Sequence, residues 1–171
     1  LLRPEAFRYV KGNAQIISSN EVELETDSGK KKVFAENIII ATGSSPRKIP
    51  SIAIDEDIIM TSDGISSLEE FPESLVILGA GVIGCEFATI FSNFNKTKVH
   101  VISKDDRILP FEDQDLAHVI ESNLEANGVL IHRESKLEKM EIVDGKVEYI
   151  LVHPDGRKEV FHAEKALVSV G

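Results

Sequence analysis

Four apolar residues, Leu75-Val76-Ile77-Leu78, run straight into Gly79-Ala80-Gly81-Val82-Ile83-Gly84, and the residues behind them repeat apolar side chains at helical spacing. Buried strand, glycine turn and amphipathic helix, in that order, constrain the fold more than any other feature of the chain. A G-x-G-x-x-G hexamer alone is a weak signal. Between a strand and a helix, inside a strand–helix–strand unit, it is the fingerprint of a dinucleotide-binding turn. Each glycine answers a separate demand: Gly79 permits the tight turn, Gly81 lets the backbone approach a pyrophosphate, and Gly84 lets helix and strand pack closely. The free N–H groups and positive dipole end of the helix then face the phosphates. The alternative is a glycine turn kept for packing alone.

The rest of the chain fits around this unit. Ile83, Phe87, Ile90, Phe91 and Phe94 mark the first long helix, and Lys98-Val99-His100-Val101-Ile102 the next strand. Leu116, Val119, Ile120 and Leu124 mark a second helix, capped by Asp113 with Asp115 in its first turn and ended by Asn127-Gly128. Val129-Leu130-Ile131 is a third strand. Alternation of strand and helix with short links predicts an α/β fold, a Rossmann-like parallel sheet. Three β-rich runs follow, broken at Asp144-Gly145 and Pro154-Asp155-Gly156, and read as a β-meander. Ala166 to Gly171 is a last buried strand.

Upstream, Ala14–Ser18, Val22–Thr26 and Lys32–Phe34 read as short strands joined by turns. Ile38-Ile39-Ile40-Ala41-Thr42-Gly43 is a β-branched run expected to form a buried strand. The polar connector Ser44 to Pro50 marks a domain boundary, and a short helix is expected from Ser62 to Leu68, capped by Ser62 or Asp63.

An adenosine ribose needs an acceptor at the end of the second strand, where NAD sites usually place Asp or Glu. Here the strand is followed by Ser103-Lys104, with Asp105 and Asp106 beyond. Ser103 and Lys104 are candidate ribose contacts or simply the start of a loop. The five histidines show no i, i+4 pairing and no cysteine partners, so no metal site is expected. Cys85 is the single cysteine, which excludes an internal disulfide and favours a reducing, cytoplasmic setting. A net charge of −10 speaks against a nucleic-acid partner. Neither a membrane span nor a secretory leader is visible. The chain starts at Leu1 without methionine, as a piece of a longer protein would.

Four segments resemble the flavin-linked pyridine-nucleotide-disulfide oxidoreductases, most of all the dihydrolipoamide dehydrogenase branch. They are Ile38 to Pro46, Gly79 to Glu86, Arg107-Ile108-Leu109-Pro110 and Val168 to Gly171. The resemblance implies that residues 1–46 are the tail of a first FAD-domain segment, 47–165 the NAD(P) domain, and 166–171 the start of a return to the FAD domain. It places Ala14, Thr42 and Gly43 near FAD. It places Gly79, Ala80, Gly81, Val82, Ile83, Gly84, Glu86, Ser103, Lys104, Leu137 and Gly171 around NAD, with NADP possible. Glu86 alone could equally be a first-turn acid, and Leu137 a core residue. No catalytic residue is expected in this stretch, so by itself it would be inactive. The parent would be a homodimer passing hydride between NAD and FAD, and electrons to or from a lipoyl-bearing protein of a 2-oxo acid dehydrogenase complex. Ser103 departs from the glutamate usual in that branch. That leaves open a soluble pyridine nucleotide transhydrogenase, or a stand-alone nucleotide-binding module.

Overall fold

The computed structural model describes residues 7–170, so Gly171 lies outside the described residues. Contacts divide the chain into two compact units, Leu1–Ser44 and Ser45–Gly171. Among the described residues no helix is long and apolar enough to cross a membrane.

The first unit holds β1 (Asn13–Ser18), β2 (Glu21–Thr26) and β3 (Gly29–Phe34), an antiparallel sheet in the order β1-β2-β3. Val22 stands opposite both Ile16 and Val33, and Lys30–Glu23 and Lys32–Glu21 ion pairs cross the outer face. Pairs this exposed add little stability. The expected strand at Ile38–Gly43 is not formed: the segment carries no helix or strand, with Ile39 90% and Ile40 69% exposed. An extended run becomes a strand only when neighbours take up its N–H and C=O groups. None of the described strands pairs with this one.

The second unit is α/β. Its five-stranded sheet runs β4 (Ile59–Met60), β11 (Lys165–Val168), β5 (Ser74–Leu78), β6 (Lys98–Ile102), β7 (Leu130–His132), and all four pairings are parallel. The third strand of the motif unit thus begins at Leu130, one residue later than expected, and the run from Ala166 is a strand of this sheet. Period-two alternation splits the core into two layers. Leu75, Ile77, Val99 and Val101 face α2 (Val82–Asn93) and α3 (Gln114–Ala126). Val76, Ile102, Ala166 and Val168 face Met140, Val147, Tyr149 and Leu151 of the second, antiparallel sheet. That sheet is the expected meander, β8 (Lys136–Val143), β9 (Lys146–Val152) and β10 (Lys158–Ala163), with β9 in the middle. Asp144 and Gly145 both have positive φ, 51° and 76°, as a two-residue hairpin turn of this twist requires.

The helices differ from expectation in which face they bury. In α2 the buried residues are Gly84, Cys85, Ala88, Phe91 and Ser92, while Ile83, Ile90 and Phe94 are exposed. Small residues let the helix axis lie close to the sheet, and Gly84, Cys85 and Ala88 share the inward face with Phe91, while Phe87 packs partly against the core. In α3 only Ala117 and Leu124 are fully buried, and Leu116 and Val119 are exposed. Asp113 caps α3 through the N–H groups of Asp115 and Leu116. At its other end Gly128 N–H donates to Glu125 O and Val129 N–H to Leu124 O, the paired bonds of a glycine-terminated helix. The short helix α1 spans only Ser62–Ile65, and its cap is Thr61, not Ser62 or Asp63. Glu56 displaces the expected arrangement by accepting from the N–H groups of both Thr61 and Gly64.

Candidate functional site

The glycine turn folds because each of its glycines meets a different steric condition. Gly79 has φ +111°, and a Cβ there would stand 3.0 Å from the Ser169 carbonyl oxygen and the Val170 side chain. A Cβ on Gly84 would collide with the Gly79 carbonyl oxygen. Gly81 is the opposite case: a Cβ would meet nothing within 4 Å, and its φ of −79° suits any residue. The protein itself has no need of a glycine at 81. What a side chain there would fill is open space beside the start of α2, whose N-cap, Gly81 itself, offers no side-chain acceptor to the first helical N–H groups.

That space belongs to a cleft of about 560 Å³ at the carboxyl ends of β5, β6 and β11. Strands β6 and β7 lie on one side of β5, β11 and β4 on the other, so the cleft sits where the strand order reverses. Open α/β sheets bind ligands there. Ser169 Oγ sits within hydrogen-bond reach of the Leu78 and Gly79 carbonyls, closing the turn from β11. Leu109 N–H donates to Ala80 O at 2.8 Å, and Arg107 Nη2 donates to Pro110 O at 2.7 Å. These bonds hold the Arg107–Pro110 loop against the turn and bring Pro110 and Phe111 to the cleft wall.

Of the residues expected at the site, Gly79, Ala80, Gly81, Ser103, Lys104 and Leu137 line this cleft. Gly84 acts from behind the turn by letting α2 approach it. Val82 and Glu86 open instead onto a separate groove with Cys85, Thr89, Leu109, Glu112 and Ile120. Glu86 lies in the second turn of α2 and the first turn carries no acid, so it is not the first-turn acid the sequence suggested. Ile83 is half exposed on α2. Ala14 lies in β1, exposed, and Thr42 and Gly43 in the exposed segment beyond β3, all in the first unit.

Ser103 is 3% exposed, and its Oγ is engaged with its own loop: Asp105 N–H donates to it, and it reaches the carbonyls of Asp105 at 3.1 Å and Arg107 at 3.3 Å. Lys104 beside it is exposed. Sequence reading missed Arg47, Lys136 and Ser169, which line the cleft together with Asp105. Lys136 and Ser169 come from strands remote in sequence, so only the sheet registers bring them in. In a chain of net charge −10, the cleft collects three cations against one carboxylate.

Cys85 is buried, its thiol 3.5 Å from the Ala80 carbonyl, and burial, aided by Glu121, pushes its pKa up to about 11. It is a packing residue of α2, not a nucleophile. Three histidines that sequence spacing kept apart do meet, between β6, β7 and the meander. Even so, no group of residues able to hold a metal ion exists among the described residues.

The family model described as pyridine nucleotide-disulphide oxidoreductase matches residues 1–171. A dihydrolipoyl dehydrogenase of Bacillus subtilis is 34% identical over 171 residues, all of this chain and 36% of its own length. A soluble pyridine nucleotide transhydrogenase of Erwinia tasmaniensis is 37% identical over 142 residues, covering 82% of this chain and 30% of its own. The solved structure of the HOCl-induced flavoprotein disulfide reductase RclA from Escherichia coli superposes with a TM-score of 0.70 at 29% identity, over 95% of this chain and 35% of that one. This chain therefore spans about a third of the length of these relatives. Matched by the family model from end to end, it belongs to the pyridine nucleotide-disulphide oxidoreductases.

Proposed function

We propose that the cleft binds a nicotinamide dinucleotide and that this chain is the dinucleotide-presenting part of a flavin-linked oxidoreductase of the dihydrolipoamide dehydrogenase type. The observation that carries the reading is the contrast among the glycines. Gly79 and Gly84 are held to glycine by neighbouring atoms of the chain, whereas no described atom stands within 4 Å of a Cβ at Gly81, the space a pyrophosphate against the backbone would use. A pyrophosphate there would take the free N–H groups at the start of α2, with the adenosine end toward Ser103 to Asp105 and Leu137. Bound nicotinamide and flavin would supply the hydride chemistry. This chain's part is to hold the dinucleotide, with Ala80 and Gly81 against the phosphates and Leu137 packing the adenosine side. By the same resemblance residues 1–46 are the tail of the flavin region, with Ala14, Thr42 and Gly43 near FAD, and Val82, Ile83, Glu86 and Gly171 lie around the nicotinamide dinucleotide, Glu86 toward its nicotinamide end. The parent is then a cytoplasmic homodimer whose partner is a lipoyl-bearing protein.

A transhydrogenase is the second reading. It is supported by the absence of a carboxylate at 103 and by the 37%-identical relative. Because Ser103 is committed to its loop, the charge that chooses between NAD and NADP falls to Lys104, with Lys136 nearby. A charge pair at ~4 Å is worth about 1 kcal/mol in bulk water and more at a protein surface. Titrating the chain with NADH and NADPH at one salt concentration tests the proposal. Both should bind, without flavin co-purifying, and Lys104→Ala should weaken NADPH about fivefold while sparing NADH. Failure of both dinucleotides to bind would overturn it.

A further inference from the structure

Beneath the adenosine end of the cleft lies a half-buried network that the dinucleotide reading does not use. His100 of β6 and His132 of β7 meet with His100 Nδ1 3.3 Å from His132 Nε2, and Tyr149 Oη of β9 is 3.1 Å from the same Nδ1. A neutral imidazole nitrogen has either one proton or one lone pair, so two partners compete for that atom. His153, just after β9, lies tilted toward His132 at 6.3 Å between ring centres, and pairs with Glu159 of β10 at 3.0 Å. Phe161 closes the site, packed on His132, His100 and Tyr149. The charged groups next outward are Asp155 and Arg157 of the β9–β10 turn, which pair with one another. Glu159, whose charge also acts on His132, is engaged by His153.

The network is joined to the cleft by backbone bonds. Ser103 N–H donates to His132 O, Ser135 N–H to Ser103 O, and Glu134 N–H to Asp105 O, each at 2.9 or 3.0 Å. The chain then passes directly into Lys136 and Leu137, which line the cleft. We propose that His100 and His132 form an acid-operated latch: proton uptake parts the meander from the parallel sheet at β7 and lowers the affinity of the adjoining cleft for its dinucleotide.

Burial holds His132 down to about 4, with His100 and His153 adding to the effect and Glu159 opposing it, and burial also lowers His100. Burial thus favours the neutral form of both rings in the closed arrangement. Above the ordinary value of 6.5, open and closed arrangements bind the same protons and the latch is fully shut. As pH falls from there toward about 4, the open arrangement takes up protons that the closed one refuses, and closure is progressively lost.

The ligand half of this inference rests on the dinucleotide reading; the opening of the latch does not. The test is NAD+ affinity of the full chain from about pH 7.5 to about pH 5, a range over which the pyrophosphate stays ionised, beside amide and histidine NMR signals in the same samples. Affinity should fall about tenfold, with exchange broadening confined to β7 and the meander. The variant His100→Asn/His132→Gln, which keeps a neutral nitrogen at each contact, should lose less than about threefold. His118, His153 and His162 remain in that variant as controls. If the variant does not fold, the wild-type signals decide alone. Histidines titrating near 6.5 with unchanged meander amides would overturn the latch. NAD+ failing to bind at any pH would sink the dinucleotide reading, and the amide signals would still judge the opening.

Discussion

Ile38-Ile39-Ile40-Ala41-Thr42-Gly43 and Leu75-Val76-Ile77-Leu78-Gly79 are nearly the same sentence written twice, an apolar β-rich run ending in glycine. One is the centre of the second unit and the other lies exposed in the first. Strand β5 has β11 on one edge and β6 on the other, with helices over one face and the meander over its opposite, and Leu75, Val76 and Ile77 have no exposed surface. The first run has no strand on either edge and no layer on either face among the described residues; both apolar clusters draw their members from residue 49 onward. Hydrophobicity makes a run eligible for a core. Neighbours on both edges and both faces make it one.

The largest expected effect separates the two runs by stability. Ile77→Ala should cost about 2–5 kcal/mol, because the deleted atoms leave a cavity between β5 and the helices. Ile39→Ala should stay within about 0.5 kcal/mol, as an exposed substitution does. Urea unfolding of both variants, with the slope compared as well as the midpoint, measures the difference. Equal costs would mean that the two runs are equally buried in solution and would break the comparison.

The glycines sharpen it at smaller scale. Gly84→Ala must push a methyl into the Gly79 carbonyl and should cost about 1–3 kcal/mol, the usual range for overpacking. Gly43 also follows an apolar run and has φ +81°, yet a Cβ there meets no atom within 4 Å. Gly43→Ala should cost only the left-handed backbone preference, about 1 kcal/mol. Thermal melts of the two variants rank them; a Gly84→Ala protein as stable as the parent would show that α2 can lift off the turn.

How much of this was legible depended on whether a residue's duty was local. The duties of Gly79 and Gly84 could be read from spacing because a turn and a close helix approach are made by neighbours in sequence. The Asp113 cap, the Gly128 terminus and the Asp144-Gly145 hairpin were legible for the same reason. The buried face of α2 was legible only in part: of Ile83, Phe87, Ile90, Phe91 and Phe94, Phe91 is buried and Phe87 packs against the core, whereas Gly84, Cys85 and Ala88, which apolar counting passes over, fill the rest of the inward face. Ser169 closing the glycine turn, Lys136 reaching the cleft and three histidines meeting all depend on strand order and register. Register is set by the whole sheet and leaves no mark at any one of those positions. Ser103 is the converse case: its position at the end of β6 offered either a ribose contact or the start of a loop, and its hydroxyl bonds within the loop while the residue lines the cleft.

The central claim is that Gly81 is glycine because a dinucleotide pyrophosphate lies against it. Gly81→Val tests it directly, since the wild-type φ of −79° suits valine and no protein atom stands in the way. The measurement is a calorimetric titration of NADH into wild type and variant, with circular dichroism and melting temperature recorded on the same samples. The account predicts an unchanged spectrum, a melting temperature within about 2 °C, and binding weakened more than about a hundredfold as the methyls occupy the pyrophosphate's place. A folded variant that binds NADH as tightly as the wild type would contradict it.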